Sequence, residues 1–156
     1  YKILDKHPRV NAKKLGITGL SRGGNAANMA VEKKFSDIIL GEENYYQASL
    51  PMASDCFNVA FDKPTPTPAK ILFLLGGADD YTLAKFCVAY AEKMKKAGGN
   101  VEVIVKEGWH HDWHGGFKPK KVKAMTMHTC PAFLVDNEGN ATGPIVDLGL
   151  KKYKLF

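Results

Sequence analysis

The chain alternates between short apolar runs and longer segments in which apolar residues recur at helical spacing. The runs at 14–20, 70–77 and 101–108 have the length of strands and are nearly continuous in hydrophobicity. Such runs are typical of parallel strands that are buried on both faces of a sheet. A fourth strand is expected within 45–54.

The segments between these runs have the pattern of amphipathic helices. Segment 82–99 ends in Gly-Gly and has apolar residues at helical spacing: Leu83, Phe86, Cys87, Tyr90 and Met94. Segment 23–35 predicts another helix, with apolar positions at Ala26, Met29, Ala30 and Val31. Closely spaced prolines in 62–70 predict an extended loop. This alternation favours an α/β fold, in which a mostly parallel sheet is flanked by helices.

The C-terminal part of the chain has a different pattern. Segment 132–149 predicts two short strands around an Asn-Glu-Gly-Asn turn. We therefore expect a single domain over 1–156, with a core at about 1–130 and a small β extension at about 131–150. The Asp-Asn-Glu-Gly-Asn run lacks the spacing of an EF-hand loop and is not predicted to bind calcium.

Composition and charge exclude several classes of function. The 156 residues are 45% hydrophobic and 24% charged, as in soluble globular domains. No apolar run approaches the roughly 20 residues of a membrane span. The net charge of +6 comes from scattered lysines, with the densest patch at 118–123. That patch lacks interleaved aromatic residues, so it is interpreted as a solvated face, and neither nucleic acid nor a membrane is an expected partner.

Two features bear on where the protein works. The three cysteines, Cys56, Cys87 and Cys130, are odd in number and form no Cys-x-x-Cys pair. This argues against a zinc ribbon and a fully paired disulfide framework, but leaves open one disulfide with one free thiol. The compartment, cytoplasm or periplasm, therefore stays open. Because the chain begins at Tyr1 and reads like the middle of a protein, we expect a segment to precede it.

One serine lies in a setting suited to nucleophilic attack. Ser21 occupies the sequence Gly-Leu-Ser-Arg-Gly, which fits Gly-x-Ser-x-Gly, between a predicted strand and a predicted helix. That motif forms a strained turn that exposes the hydroxyl, and the small neighbours prevent collisions. The backbone N–H of Arg22 can point at a developing oxyanion, and the helix N-terminus adds partial positive charge. The motif predicts Ser21 as a nucleophile.

A candidate acid and base follow two other predicted strands. Asp79 and Asp80 come just after the strand at 70–77. The strand at 101–108 is followed by three histidines: His110, His111 and His114. In parallel sheets, sites form beyond the carboxyl ends of the strands, so these residues should share one edge with Ser21. The order Ser, Asp, His along the chain is that of the α/β-hydrolases.

Each of these groups also has an alternative interpretation. Asp79 and Asp80 are suited to cap the helix that begins near Thr82. The three histidines, with Asp112, have the chemistry of a zinc site. The two tryptophans of the same loop are packing residues or an aromatic wall of a substrate pocket: Trp109 and Trp113.

With these residues in view, the chain resembles the dienelactone hydrolase family of the α/β-hydrolases over most of 2–131. Segment 7–27 is similar to the family's approach to its nucleophile, 71–82 to its acid strand and 101–113 to its histidine loop. The resemblance implies Asp79 rather than Asp80 as the acid. It likewise implies His111 rather than His110 as the base.

The chain departs from the family in two ways. Ser21 stands where the enzyme that names the family has a cysteine, as in esterase-like relatives, so dienelactone itself is a doubtful substrate. The family's N-terminal third, which supplies earlier strands and a second oxyanion N–H, has no counterpart here. Loss of one oxyanion donor costs about 3 kcal/mol of transition-state stabilisation. A homo-oligomer or a partner that covers the open sheet edge is therefore one expected form.

These observations together predict a serine hydrolase that cleaves a small-molecule ester or lactone through an acyl-enzyme. The predicted catalytic residues are Ser21, Asp79 and His111, with the Arg22 N–H in the oxyanion hole. No metal or other cofactor is required. Two alternatives remain: a metal-dependent hydrolase or metal-binding protein built on the three histidines, and a truncated hydrolase fold that binds a ligand without catalysis.

Overall fold

The protein is described by a computed structural model that covers residues 1–116, 118–123, 126–129, 133–135 and 140–142. Its strands are β1 Gly16–Leu20, β2 Ala48–Met52, β3 Val59–Phe61, β4 Lys70–Gly76, β5 Asn100–Lys106, β6 Phe133–Val135 and β7 Ala141–Thr142. Its α-helices are α1 Lys2–Asp5, α2 Arg22–Met29, α3 Lys33–Leu40 and α4 Ala84–Lys96. Short 3₁₀ helices lie at Ala12–Lys14, Trp113–Gly115 and Met127–Thr129.

The main sheet has four parallel strands in the order β1-β2-β4-β5. The register pairs Leu20 with Met52, Met52 with Leu74 and Leu74 with Ile104, so the carboxyl ends of all four strands lie at one edge. Parallel neighbours need crossover connections, and the helices α2 and α4 lie in these connections. The predicted fold class, a mostly parallel sheet flanked by helices, is confirmed.

One face of the sheet forms the core together with α4. Alternate residues of β4 are buried there: Ile71, Phe73 and Leu75. They belong to the same cluster as the buried side of α4, which contributes Cys87, Tyr90, Ala91 and Met94. Full burial of such apolar side chains stabilises the fold by about 1.5–3 kcal/mol each. The packing of α4 on β4 is therefore a major contribution to the stability of the fold.

The opposite face of the sheet is less well covered by the residues that the structure describes. Leu50 and Leu72 are half-buried, and Ile104 is 38% exposed. A groove of about 580 Å³ runs over this face, between Thr18 and Glu102. Within the described part of the chain, β1 and β5 are the two edge strands of the sheet, and β1 forms the edge next to the chain's first residues. The expectation that a second copy covers this edge stays a prediction.

The single helix predicted at 23–35 is wrong. Two helices, α2 and α3, are separated by a turn, because Val31 and Glu32 pair with the proline-rich loop instead of continuing the helix. The Val31 carbonyl accepts from Thr67 N–H at 2.8 Å, and the Glu32 carboxylate accepts from the N–H and the hydroxyl of Thr65. Burial raises the pKa of Glu32, and these hydrogen bonds partly offset that effect. The helix α3 then runs on to Leu40.

The C-terminal extension joins a strand that the sequence pattern does not reveal. β3 pairs in parallel with β6, and β6 pairs antiparallel with β7. The two predicted C-terminal strands are therefore present. Most of the predicted turn between them, at 136–139, lies outside the described residues, as does 143–150. The assignment of the chain to a single domain stays a prediction.

A disulfide links Cys56, in the segment after β2, to Cys87 of α4, with 4.9 Å between the Cα atoms. This is the one-disulfide alternative that the cysteine count left open. Cys130 lies outside the described residues. In the described part of the chain, no helix has both the length and the apolar character to span a membrane.

Candidate active site

Ser21 lies at the tip of a sharp turn between β1 and α2. Its backbone has φ 54° and ψ −115°, a conformation that is costly for a residue with a side chain. Its N–H donates to the Met52 carbonyl at 2.9 Å, which ties the turn to the end of β2. A Cβ on Gly19 would collide with the backbone of Gly23, and one on Gly24 would collide with the Met52 carbonyl. The glycines around Ser21 therefore permit the close packing that the turn requires.

Asp79 lies in the turn after β4, buried to 3% exposure. Its Oδ1 accepts from the N–H groups of Tyr81 and Thr82 at 3.0 and 2.9 Å. These bonds close the turn that precedes α4, whose own N-cap is Leu83 with no capping side chain. Asp79 Oδ1 therefore orders the turn, and Oδ2 is used for other contacts. Asp80, by contrast, is exposed.

His111 joins the other two predicted residues. Its Nδ1 lies 2.9 Å from Asp79 Oδ2, and its Nε2 lies 2.9 Å from Ser21 Oγ. The loop that carries it is fixed to the end of β4, because Ala78 N–H donates to the Trp109 carbonyl at 3.0 Å. The imidazole also packs edge-on against the ring of Tyr81, with 4.8 Å between centroids. Three side chains that are distant in sequence thus form one continuous hydrogen-bonded chain.

The charges of Asp79 and His111 stabilise each other. Burial alone would raise the pKa of Asp79, but the hydrogen bonds from His111 and Thr82 and the imidazolium charge lower it overall. Burial likewise would lower the pKa of His111, but the hydrogen bond and charge of Asp79 outweigh it. The charges of Asp112 and Asp80 add to this effect, and the net pKa of His111 is raised. The arrangement therefore favours an imidazolium next to a carboxylate.

The backbone N–H of Arg22 begins α2 directly after Ser21. The N–H groups of a first helical turn have no acceptor within the helix, so they are free to bind an anion. The Arg22 side chain is exposed. These features fit the predicted oxyanion donor.

The remaining residues of the histidine loop do not gather into a metal site. His110, Asp112 and His114 are exposed. Among the described residues, no group of three or more histidine, cysteine or acidic side chains is arranged to hold a metal ion. The metal-binding alternative therefore finds no support in the geometry. Trp109 and Trp113 stack on each other with 5.0 Å between ring centroids, and their role as a substrate wall stays a prediction.

One further candidate for a role in the site, Thr82, is not predicted from the sequence. Its hydroxyl oxygen lies 2.8 Å from Asp79 Oδ2, 3.2 Å from His111 Nδ1 and 3.1 Å from the Ala53 carbonyl oxygen. The only signal in the sequence was a threonine three positions after an aspartate, which is common in turns. Nothing in that spacing indicates that the hydroxyl reaches the histidine.

The comparisons with known proteins bear on the fold. No protein-family model and no curated protein matches the sequence. Among solved structures, it is similar to acylaminoacyl peptidase of Pyrococcus horikoshii, with 16% identity and a TM-score of 0.56 over 71% of this chain and 22% of that one. Esterase 2 of Thermogutta terrifontis gives 18% identity and a TM-score of 0.52 over 67% of this chain and 47% of that one. Dipeptidyl peptidase 4 of Porphyromonas gingivalis gives 17% identity and a TM-score of 0.57 over 70% of this chain and 18% of that one.

These likenesses define the class of fold. The neighbours are peptidases and esterases with the α/β-hydrolase fold, and this chain has part of that fold. The chain spans between about a fifth and a half of the lengths of the structures it matches. A specific tie to the dienelactone hydrolase family stays a prediction.

Proposed function

We propose that the protein is a serine hydrolase that cleaves carboxylic esters or lactones. The observation that carries the proposal is the pair of 2.9 Å contacts of His111, one to Ser21 Oγ and one to Asp79 Oδ2. A hydroxyl is a weak nucleophile until an adjacent base takes its proton, and the base needs a third group to orient it. All three groups lie at the carboxyl-end edge of the parallel sheet, where sites form in this class of fold.

In the proposed reaction, Ser21 Oγ attacks the carbonyl carbon while His111 Nε2 takes the hydroxyl proton. The carbonyl electron pair moves to oxygen, and the resulting oxyanion accepts a hydrogen bond from the Arg22 N–H. When the intermediate collapses, the alcohol oxygen leaves with the proton from Nε2, and the acyl group stays on Ser21. Water then attacks the acyl carbon while His111 takes its proton, and Ser21 Oγ leaves with that proton as the acid is released. Asp79 holds the imidazole with its proton on Nδ1 and stabilises the imidazolium.

The choice of substrate class rests on chemistry. Both esterases and peptidases occur among the structural neighbours, and both reactions transfer an acyl group. An alcohol leaves from a tetrahedral intermediate more easily than an amine does. Since only one oxyanion donor is assigned here, the less demanding ester or lactone is the better match. The resemblance to dienelactone hydrolases adds support for a lactone, and the mechanism needs no cofactor.

Labelling with a fluorophosphonate tests the nucleophile. We expect the wild-type chain to gain one phosphonyl group, located on Ser21 by peptide mass spectrometry, and Ser21→Ala to gain none. Ser49→Ala is the matched control, because the Ser49 hydroxyl is buried and donates to the Ala27 carbonyl. Label that persists in Ser21→Ala, or an unlabelled wild-type chain with intact fold, would reject the assignment.

A further inference from the structure

The hydroxyl of Thr82 lies at the junction of the proposed acid and base. Thr82 is 4% exposed, in the turn that leads into α4. Its Oγ1 is 2.8 Å from Asp79 Oδ2 and 3.2 Å from His111 Nδ1. A third neighbour, the Ala53 carbonyl oxygen, lies 3.1 Å away and belongs to the segment after β2. One side chain therefore links the acid, the base and a second strand end.

The protons at this junction can be assigned from donor and acceptor chemistry. For His111 to take a proton from Ser21 at Nε2, its own proton must be on Nδ1, and that N–H donates to Asp79 Oδ2. The Thr82 hydroxyl has one proton and two neighbouring acceptors, Asp79 Oδ2 and the Ala53 carbonyl. The carboxylate is both closer and charged, so it takes the proton. The Thr82 oxygen then faces the Nδ1–H of His111 as a second acceptor.

The hydroxyl can be separated from the structural role of this residue. The backbone N–H of Thr82 also donates to Asp79, at 2.9 Å, and any residue except proline would preserve that bond. What threonine adds is a hydroxyl donor to the other carboxylate oxygen, Oδ2, which faces His111. A carboxylate whose Oδ1 is held by backbone N–H groups and whose Oδ2 is held by the Thr82 hydroxyl has less freedom to rotate away from the imidazole.

We propose that Thr82 is a positioning residue that fixes Asp79 Oδ2 against His111 Nδ1 through its hydroxyl. The expected effect of the Thr82 hydroxyl on turnover rests on the proposed hydrolase function. Its expected effect on the pKa of His111 does not require turnover. The charged groups that act on His111 are Asp79, Asp80 and Asp112, and of these only Asp79 is hydrogen-bonded to the ring. Because the Thr82 hydroxyl is uncharged and lies closer to Asp79 Oδ2 than to His111 Nδ1, at 2.8 and 3.2 Å, it acts on His111 mainly through Asp79.

Thr82→Val and Thr82→Ser form the matched pair of variants. Valine has the shape of threonine without the hydroxyl, and serine retains the hydroxyl. With an ester that proves to be a substrate, we expect Thr82→Val to lower kcat about 10-fold to 100-fold, the range for losing a hydrogen bond to a charged group. KM should stay within about twofold, because Thr82 is buried and its hydroxyl contacts protein groups. Thr82→Ser should recover most of kcat.

An NMR titration of histidine-labelled protein provides the readout that is independent of activity. The chain has five histidines, so the His111 signals are assigned by their loss in His111→Gln. We expect the pKa of His111 to fall toward its ordinary value in Thr82→Val, because a less well-held carboxylate stabilises the imidazolium less. Thr82→Ser should titrate like the wild-type chain. Circular dichroism confirms that each variant is folded, and Thr82→Ala replaces Thr82→Val if the latter is not.

The outcomes separate this inference from the proposed function. If Ser21 resists phosphonate and no ester is turned over, the proposed function fails, while the titration still tests Thr82. If Thr82→Val is folded and its His111 titrates as in the wild-type chain, the inference is wrong even for an active enzyme. It is equally overturned if Thr82→Ser lowers kcat as much as Thr82→Val, because the hydroxyl is then not the cause.

Discussion

Replacing Asp79 with asparagine should remove nearly all hydrolysis while leaving the fold intact. Asp79 Oδ1 accepts two backbone N–H groups, and Oδ2 accepts from Thr82 and faces His111 Nδ1. The amide oxygen of asparagine can preserve the two backbone bonds. Its NH₂ group then faces Nδ1, and two donors cannot bond to each other. The imidazole therefore moves its proton to Nε2, where it can no longer accept the proton of Ser21.

The size of the loss follows from this wrong tautomer. An amide in place of the acid of a Ser-His-Asp triad lowers kcat about 10,000-fold, which corresponds to about 5.5 kcal/mol in the barrier. The assay is the steady-state hydrolysis of a p-nitrophenyl ester near neutral pH, with phosphonate labelling to count competent sites. We expect KM to change little, because Asp79 is buried and is hydrogen-bonded to His111.

Asp80→Asn is the matched control for this change. Asp80 is the next residue, is exposed, and acts on His111 only through its charge. We expect it to retain kcat within about threefold, since an exposed charge contributes little. The reasoning is refuted if Asp79→Asn retains more than about a tenth of the wild-type kcat, a loss of less than about 1.4 kcal/mol. It is also refuted if Asp79→Asn and Asp80→Asn lose activity equally, because Asp79 is hydrogen-bonded to His111 whereas Asp80 is exposed.

Further predictions concern pH, the nucleophile turn and the disulfide. Since only neutral His111 can act as a base and its pKa is raised, kcat/KM should fall as pH drops through a midpoint above about 6.5; a midpoint below that value would contradict the assignment. Gly24→Ala should lose about 1–3 kcal/mol in urea unfolding, because its Cβ would meet the Met52 carbonyl, whereas Gly23→Ala, with open space around it, should not; equal losses would contradict this packing. Replacing Cys56 and Cys87 by serine should lower the free energy of unfolding by about 3–4 kcal/mol, since the disulfide closes a loop of 31 residues; an unchanged denaturant midpoint would contradict a formed bond.

Local pattern predicted the order of the main elements because the core is built from regular repeats. The apolar run at 70–77 contains the central strand β4, and the run at 101–108 corresponds to the outer strand β5. The amphipathic segment at 82–99 contains α4. Their burial follows directly from the spacing of apolar residues, with Phe73 fully buried. Elements whose stability comes from such local periodicity can be found without knowledge of their neighbours.

The helix at 23–35 was mispredicted because a contact distant in sequence decides its end. Val31 and Glu32 have helical neighbours, but they pair with residues of the proline-rich loop some 33 positions later. β3 was missed for a similar reason, since its partner is a C-terminal strand. Propensity cannot reveal a pairing that depends on where another segment lies in space.

The residues of the candidate site likewise differ in whether the sequence alone could predict them. The Gly-x-Ser-x-Gly turn marked Ser21, and the resemblance to dienelactone hydrolases chose Asp79 and His111 from among their neighbours. Thr82 could not be chosen, because the role proposed for it depends on a distance of 3.2 Å between its hydroxyl and a ring 29 residues away. Motifs identify groups that react, whereas groups that orient them become visible only when the fold is known.

The most direct test of the proposed hydrolase function is to trap the acyl-enzyme. A p-nitrophenyl ester is mixed with the protein, and the reaction is stopped in acid during the first turnovers. The mass of the peptide that contains Ser21 is then measured by mass spectrometry. The account predicts that this peptide carries the acyl group in the wild-type chain, that the group disappears as turnover ends, and that His111→Gln does not acquire it. Ester hydrolysis without acylation of Ser21, or with the acyl group on another residue, would contradict it.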